Sequence, residues 1–356
     1  MKIINLYILK KFAYNLVVIL LSLEIFFVGL DLLGNGADLP QSANLKILYV
    51  VYVFMFALTT TLPLAIVFGW IATIVNFIKS NEMVAFISLG ASTKNIMTSP
   101  LILSVFCITL LIGIQSSPFA YSAEQKSNIL NNKYFSSERN HIFFKHNEYF
   151  AYFEKLLPYS KEAQNASIFK IENDNLVQKI HSPKGKFENN YWIFENATIL
   201  DKPAKLDWET SKLTEKKVSQ IKLLEGFKPK ILDSVYEAKS SFSTLDAFDA
   251  FFVLKNQNIN TDKIRSAIYN QIFIPFFIIP ILFMIYFFAN LNSRFFKISE
   301  FSSICVFGTL FVWGGFFLLY RFSANSVIIP ELGLLMPLFL LFVSSIFISK
   351  KLKAKV

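Results

Sequence analysis

The residues of this chain best suited to chemistry are three histidines, His141, His146 and His181, two cysteines, and two acids set inside apolar stretches. His141 and His146 are five apart and point to opposite faces of a strand, so they do not make a metal site. Cys107 and Cys305 both lie in apolar runs, where a thiol behaves as a small hydrophobe, which excludes a disulfide framework and a thiolate zinc site. A phosphate-gripping loop needs a glycine five residues before a Gly-Lys-Ser/Thr end. The only Gly-Lys pair here, Gly185-Lys186, is followed by Phe187 and preceded by Ile180. No G-x-S-x-G, H-E-x-x-H or G-x-G-x-x-G occurs either. The sequence therefore offers no catalytic constellation, no metal site and no cofactor.

The two acids are more informative. Glu24 sits mid-way along the first apolar run and Asp31 near its end. A carboxylate in hydrocarbon costs several kcal/mol unless it faces protein or a wet cavity. One of them is expected to face a partner helix or an internal cavity. Asp31 has the alternative of reaching the interface, and Glu24 that of being protonated and joining two helices.

The elements that must position these residues follow from composition. Of 356 residues 54 % are hydrophobic, 17 % are charged and 40 are Phe, which excludes disorder and a wholly soluble enzyme. A helix needs about 20 apolar residues to cross a bilayer. Such runs lie near residues 9–33, 47–78, 96–116, 266–290, 301–320 and 327–349, predicting six spans. The second is long enough to overshoot the bilayer, with Pro63 and Gly69 as bend points. The first reads as an uncleaved signal anchor.

Basic residues near span ends resist translocation. Flanks on one side hold eleven, Lys2, Lys10, Lys11, Lys79, Lys94, Arg294, Lys297, Lys350, Lys351, Lys353 and Lys355, against Glu82 and Glu300. That side is predicted to be cytoplasmic, with both termini on it and residues 117–262 on the other. This block carries 20 basic against 19 acidic residues, so the net charge of +10 belongs to the flanks and argues against nucleic-acid binding. The expected organisation is residues 1–116 as three spans, 117–262 as an extracytoplasmic domain and 263–356 as three more spans.

From His141 to Ile199 short alternating runs such as YFAYFE, ASIFKI and YWIFENATIL predict strands. Turns are placed at Glu172–Asn175, Ser182–Lys186 and Glu188–Asn190, which suits an antiparallel sandwich or jelly roll. Phe143, Phe150, Phe153, Trp192 and Phe194 form its core, or else line an apolar groove. A helix is predicted after Ser243 or Thr244 as cap. Between the second and third spans, KSNEMVAFISLGASTKNI predicts a short amphipathic helix over about 80–90. Ser80 or Asn81 caps it, Met83, Val84, Ile87 and Leu89 form its apolar side, and Gly90 ends it. Such a helix either receives force from a soluble motor or lies on headgroups.

Four stretches together resemble the LptF/LptG permeases of the lipopolysaccharide export transporter. They are LYILKKFAYNLVVILLSLEIFFVGLDLL, LPLAIVFGWIATIVNFIKSNEMVAFISLGAS, NASIFKIENDNLVQKIHSPKGKFENNYWIFENATI and IYNQIFIPFFIIPILFMIYFFA. The Asp31–Leu33 triplet and the LPLAIVFG run are more similar to LptG. The resemblance implies an inner-membrane α-helical permease of six transmembrane helices with an inserted periplasmic β-jelly roll, and no enzymatic activity of its own. It implies a paralogous LptF partner, a cytoplasmic LptB ATPase dimer, LptC and LptA, with lipopolysaccharide taken laterally between the first and fifth spans. Glu82, Met83, Val84 and Leu89 match the helix that couples to the ATPase. Family members carry basic residues near the outer end of the first span, where this chain has Val28, Gly29, Gly34 and Asn35. Phosphate contacts are therefore expected from Arg321 or Lys46, then Lys263 and Arg265, or from the paralogue; Arg321 alternatively only anchors the interface. Rival readings are a membrane-bound hydrolase or transferase, against which the lack of any clustered acid, base and nucleophile argues, a membrane-anchored scaffold, and a permease for another lipid or lipoprotein.

Overall fold

The computed structural model describes residues 2–132, 139–158, 160–172, 175–203, 213–229, 242–255, 260–289 and 297–353. Of the basic flanks, Arg294, Lys355 and the side chains of Lys2, Lys94, Lys351 and Lys353 lie outside the described residues. The chain divides into two units, Met1–Lys126 with Ser243–Phe248 and Thr261–Val356, and Ser127–Phe242 with Asp249–Asn260.

The first unit is helical. Its long apolar runs become α1 (Lys2–Asn35), α2 (Ala43–Lys79) and α4 (Thr93–Gln115), with α3 (Glu82–Ser88) between the last two and α5 (Ser122–Leu130) following. After the β unit come α6 (Thr244–Lys255), α7 (Asp262–Ile272), α8 (Ile278–Phe288), α9 (Ile298–Ala324) and α10 (Met336–Lys353). Five segments are long and apolar enough to cross a membrane, Ile3–Asp38, Ala43–Lys79, Asn95–Gln115, Ile298–Ala324 and Glu331–Lys350. A sixth is α7 together with Ile274–Phe288, bent by 44°. The bend falls where Pro275 removes a backbone donor and restricts the residue before it.

α2 is apolar all round and buried over most of Thr61–Ile78, as a central helix should be. Gly69 makes this possible on one side: a Cβ there would stand 3.0 Å from Leu16 Cα of α1. The Asn15 amide donates to Thr73 Oγ1 at 2.8 Å across the same crossing. On another side the Trp70 indole donates to the Leu282 carbonyl of α8 at 3.2 Å, its ring meeting Phe12 edge-on at 5.6 Å.

The second unit is one six-stranded antiparallel sheet in which every strand pairs with its sequence neighbour. The strands are β1 (Arg139–His146), β2 (Tyr149–Leu157), β3 (Glu162–Glu172), β4 (Asn175–Glu188), β5 (Tyr191–Asp201) and β6 (Thr214–Leu223). Greek-key crossings, the mark of a jelly roll, are absent among the described strands. Ser182–Lys186, expected as a turn, continues β4, and the charged β6 was not foreseen.

A row of skipped pairings crosses all six strands at His141, Glu154, Asn165, Pro183, Asn196 and Ser219. In alternate strands the residue on this row is left-handed, His141 at φ 58°, Asn165 at φ 50° and Asn196 at φ 50°, and Asn tolerates that region better than most side chains. Pro183, which cannot donate to a ladder, stands between the two asparagines. Across the row buried residues are spaced by three instead of two, as in Phe153/Leu156, Ala163/Ala166, Ser182/Gly185 and Phe194/Ala197. Each strand is therefore creased at the same level. Ser182 Oγ donates to the Lys184 and Glu195 carbonyls at 2.8 and 2.6 Å where the ladder is interrupted.

The sheet curls strongly. β2 and β5 are three steps apart, about 14 Å in a flat sheet. The Phe153 and Trp192 rings nevertheless lie 5.0 Å apart across the concave face. Ala163 and Ala166 of β3 and Gly185 of β4 keep the intervening strands thin on that face. A Cβ on Gly185 would meet the Phe194 ring at 2.6 Å. Phe153, Trp192 and Phe194 are buried in this core, whereas Phe143 is exposed and stacks on Phe150 at 6.0 Å. Among the described residues β1 and β6 do not pair, so the curl is a trough open along one side.

Candidate functional site

α3 is a seven-residue helix with a well-defined end. Gly90 is left-handed at φ 80°, its N–H donates to Ile87 O at 2.9 Å, and the Ala91 N–H donates to Phe86 O at 2.9 Å. This double bond pattern satisfies the last carbonyls and needs glycine at its centre. Asn81, at φ 59°, opens the helix without a side-chain cap, and Ser80 Oγ instead donates to Glu82 Oε1 at 2.8 Å.

The apolar residues of α3 divide between two faces. Met83 and Phe86 are buried, and Phe86 closes an aromatic trio with Phe77 at 5.4 Å and Tyr7 at 6.3 Å. Val84, Ile87 and Leu89 are exposed, Leu89 at 72 %. Met83 thus separates from the apolar side it was expected to share: it turns into the helical core with Phe86, while Val84, Ile87 and Leu89 stay outside.

Glu24 is buried and accepts from Thr61 Oγ1 of α2, its Oε2 having no hydrogen-bond partner among the described residues. Asp31 is held by three groups, the Lys126 ammonium of α5, the Tyr49 hydroxyl at 2.5 Å and the Asn35 amide at 3.3 Å. Lys126 also lies over the Tyr49 and Phe56 rings, 6.0 and 5.8 Å from their centroids. Nothing in the sequence pairs Lys126 with an acid 95 positions earlier, and only a helix turning back after the third span brings them together. The start of α6 is fixed to the turn before α5: Tyr121 donates to Asp246, and Ser243 Oγ accepts the Asp246 N–H at 3.1 Å. Burial first, and the Asp246 carboxylate second, push the Tyr121 hydroxyl above the usual phenol range.

The expected phosphate ligands differ in their surroundings. Arg265 is engaged by Asp262 and by Glu331, each at 2.5 Å, and Tyr269 donates to the same Glu331 oxygen at 2.8 Å. That network ties the start of α7 to the π-helical turn Glu331–Leu335 before α10. Lys263 adjoins it, Lys46 is exposed on the first turn of α2, and Arg321 is exposed with its guanidinium 5.3 Å above the Phe317 ring. Arg321 and Lys46 are the accessible cations of this set. Among the described residues no group of acids, histidines and cysteines could hold a metal ion.

The family described as lipopolysaccharide export system permease LptF/LptG matches residues 6–351. The chain belongs to this family. No individually curated protein matches it. Membership makes the chain a multi-pass inner-membrane transport subunit rather than an enzyme, and the LptF/LptG match covers both branches together. In an LptF/LptG permease the exposed apolar faces of α1 and α9 are in keeping with a chain that meets lipid and partner helices. Ile25, Phe26, Phe307 and Phe311 are 73, 64, 70 and 83 % exposed.

Proposed function

We propose that this chain is the LptG-like permease of an ATP-driven lipopolysaccharide exporter, paired with an LptF paralogue, powered by a cytoplasmic LptB dimer and delivering through LptC and LptA. The observation that carries this reading is α3. Anchored by Met83 and Phe86 and stopped at Gly90, it presents Val84, Ile87 and Leu89 as an apolar surface with Glu82 at its start. A rigid, firmly seated helix transmits displacement from a soluble motor to the spans it rests on.

The basic flanks put α3 and both termini in the cytoplasm and the β unit in the periplasm. The spans divide three before the β unit and three after, with α7–α8 as the bent fourth. An anionic amphiphile then enters laterally beside α1 and α9, meets Arg321 and Lys46 at the outer interface, and passes to the β unit, which serves as a segment of the periplasmic bridge. Asp31 and Lys126 hold α5 against α1 and α2 at that end, and Glu24 joins α1 to α2.

Photo-crosslinking tests this. Benzophenone side chains placed at Phe26 and Phe311 in the reconstituted transporter are expected to capture lipopolysaccharide. Capture from lipid-facing positions on α4 alone would contradict the lateral route.

A further inference from the structure

Where α1, α2 and α3 meet, Tyr7 stands between two rings and two charges. Its ring stacks on Phe77 of α2 at 6.2 Å, planes 25° apart, and meets Phe86 of α3 edge-on at 6.3 Å. The Lys11 ammonium, one turn further along α1, lies 5.7 Å from the centroid of the same ring. The Tyr7 hydroxyl is turned to the Glu82 carboxylate and to the Lys11 ammonium, with a side-chain hydrogen-bonding interaction toward each. A phenol serves both at once, donating to the carboxylate and accepting from the ammonium.

The helix itself places Glu82 for this. It lies four residues before Phe86, so the two side chains are neighbours on α3, on the side that Phe86 buries. One Glu82 carboxylate oxygen is out of water, and the other accepts from Ser80 Oγ at 2.8 Å. Val84 and Ile87, three apart, form the exposed flank. The ring contacts hold α3 against α1 and α2 but tolerate sliding, because apolar attraction is non-directional. A hydrogen bond to a charged group works only within a narrow range of distance and angle. It fixes the register that the rings leave free.

We propose that the Tyr7 hydroxyl is a positioning group that fixes the register of α3 on α1, so that a displacement of α3 carries the inner end of α1 with it. The inference rests on the transport reading above. It assigns Glu82 to a joint within this chain and leaves Val84, Ile87 and Leu89 as the surface for the ATPase. α1 then passes the movement outward: it is one helix from Lys2 to Asn35, about 50 Å long at ~1.5 Å per residue. Its exposed Ile25 and Phe26 lie on the proposed lipid route.

The test compares the parent with Tyr7→Phe, which keeps the ring and removes only the hydroxyl. Both are reconstituted in lipopolysaccharide-containing proteoliposomes with the proposed partners, an LptF paralogue, LptC and LptB, and with LptA as acceptor. Lipopolysaccharide released per ATP hydrolysed is expected to fall about tenfold in Tyr7→Phe, the worth of one charge-assisted hydrogen bond. LptB affinity, hydrolysis rate and unfolding midpoint should stay at the parent values. Adding Tyr7→Phe to Glu82→Ala should lower release no further than Glu82→Ala alone, because both remove the same bond. Parent-level release per ATP in Tyr7→Phe overturns the proposal. So does a loss of LptB affinity that matches the loss of release, or two substitutions whose effects simply multiply. If the parent itself releases no lipopolysaccharide with ATP, the transport reading fails and takes this inference with it.

Discussion

Replacing Leu89 by serine separates a coupling surface from a merely structural helix. Leu89 is 72 % exposed, so it presents on the order of 120 Å² of largely apolar surface, worth about 3 kcal/mol at ~25 cal/mol per Å² if a partner covers it fully. That corresponds to about a hundredfold in affinity. The free chain should be indifferent to the change, because Leu89 caps α3 through its backbone and Gly90 supplies the left-handed turn. Met83→Ala gives the opposite pattern: the side chain is fully buried, so truncation should cost about 2–5 kcal/mol of stability with a lesser effect on affinity in whatever fraction stays folded. Binding of the soluble ATPase to the permease pair in nanodiscs reads the first, and thermal unfolding reads the second. Equal ATPase affinity for the parent and Leu89→Ser would refute the assignment of α3 as the coupling surface.

Three other outcomes follow from the geometry. Gly185→Ala drives a Cβ into the Phe194 ring at 2.6 Å, and because that ring is fully buried between Trp192 and Phe153 the sheet should lose about 1–3 kcal/mol, seen as a lower unfolding midpoint for the β unit. Burial holds the His146 imidazole below its ordinary value, against a smaller upward pull from its hydrogen bond to the Glu225 backbone. The folded chain therefore binds fewer protons than the unfolded one, and the β unit should weaken as pH falls below about 6.5; His146→Gln should flatten that dependence in unfolding scans at pH 7.5 and 5.5. Asp31→Asn leaves the Lys126 ammonium largely buried beside two rings and should destabilise the helical unit by about 3 kcal/mol, with Lys126→Met in the same chain restoring part of the loss as a double-mutant cycle would show.

The spans were legible because twenty consecutive apolar residues leave a chain few alternatives. α3 was legible because Gly90 and the polar residues around Glu82 punctuate it. The division of its apolar side was not: seven residues of mixed polarity show two apolar flanks, and only Phe77 and Tyr7, from other helices, decide that Met83 and Phe86 turn inward. Pro183 and Gly185 read as a turn by composition, yet they lie at and beside the crease of a continuing strand, where a missing donor and a missing side chain are both required. Five strands alternate clearly, while the sixth is laden with Lys216, Lys217 and Lys222 along an exposed edge and does not, as edge strands that resist further pairing often are. The partners of Glu24 and Asp31 lay out of reach for another reason. Thr61, Tyr49 and Lys126 are ordinary residues whose meaning appears only when α1, α2 and α5 are packed together.

The most direct measurement is ATP-driven release of lipopolysaccharide from proteoliposomes holding this chain with the proposed partners, an LptF paralogue, LptC and LptB, and with LptA as acceptor. The account predicts release that needs ATP and LptB and is lost in Leu89→Ser while LptB still hydrolyses nucleotide. Release without LptB, or nucleotide hydrolysis by this chain alone, would contradict it.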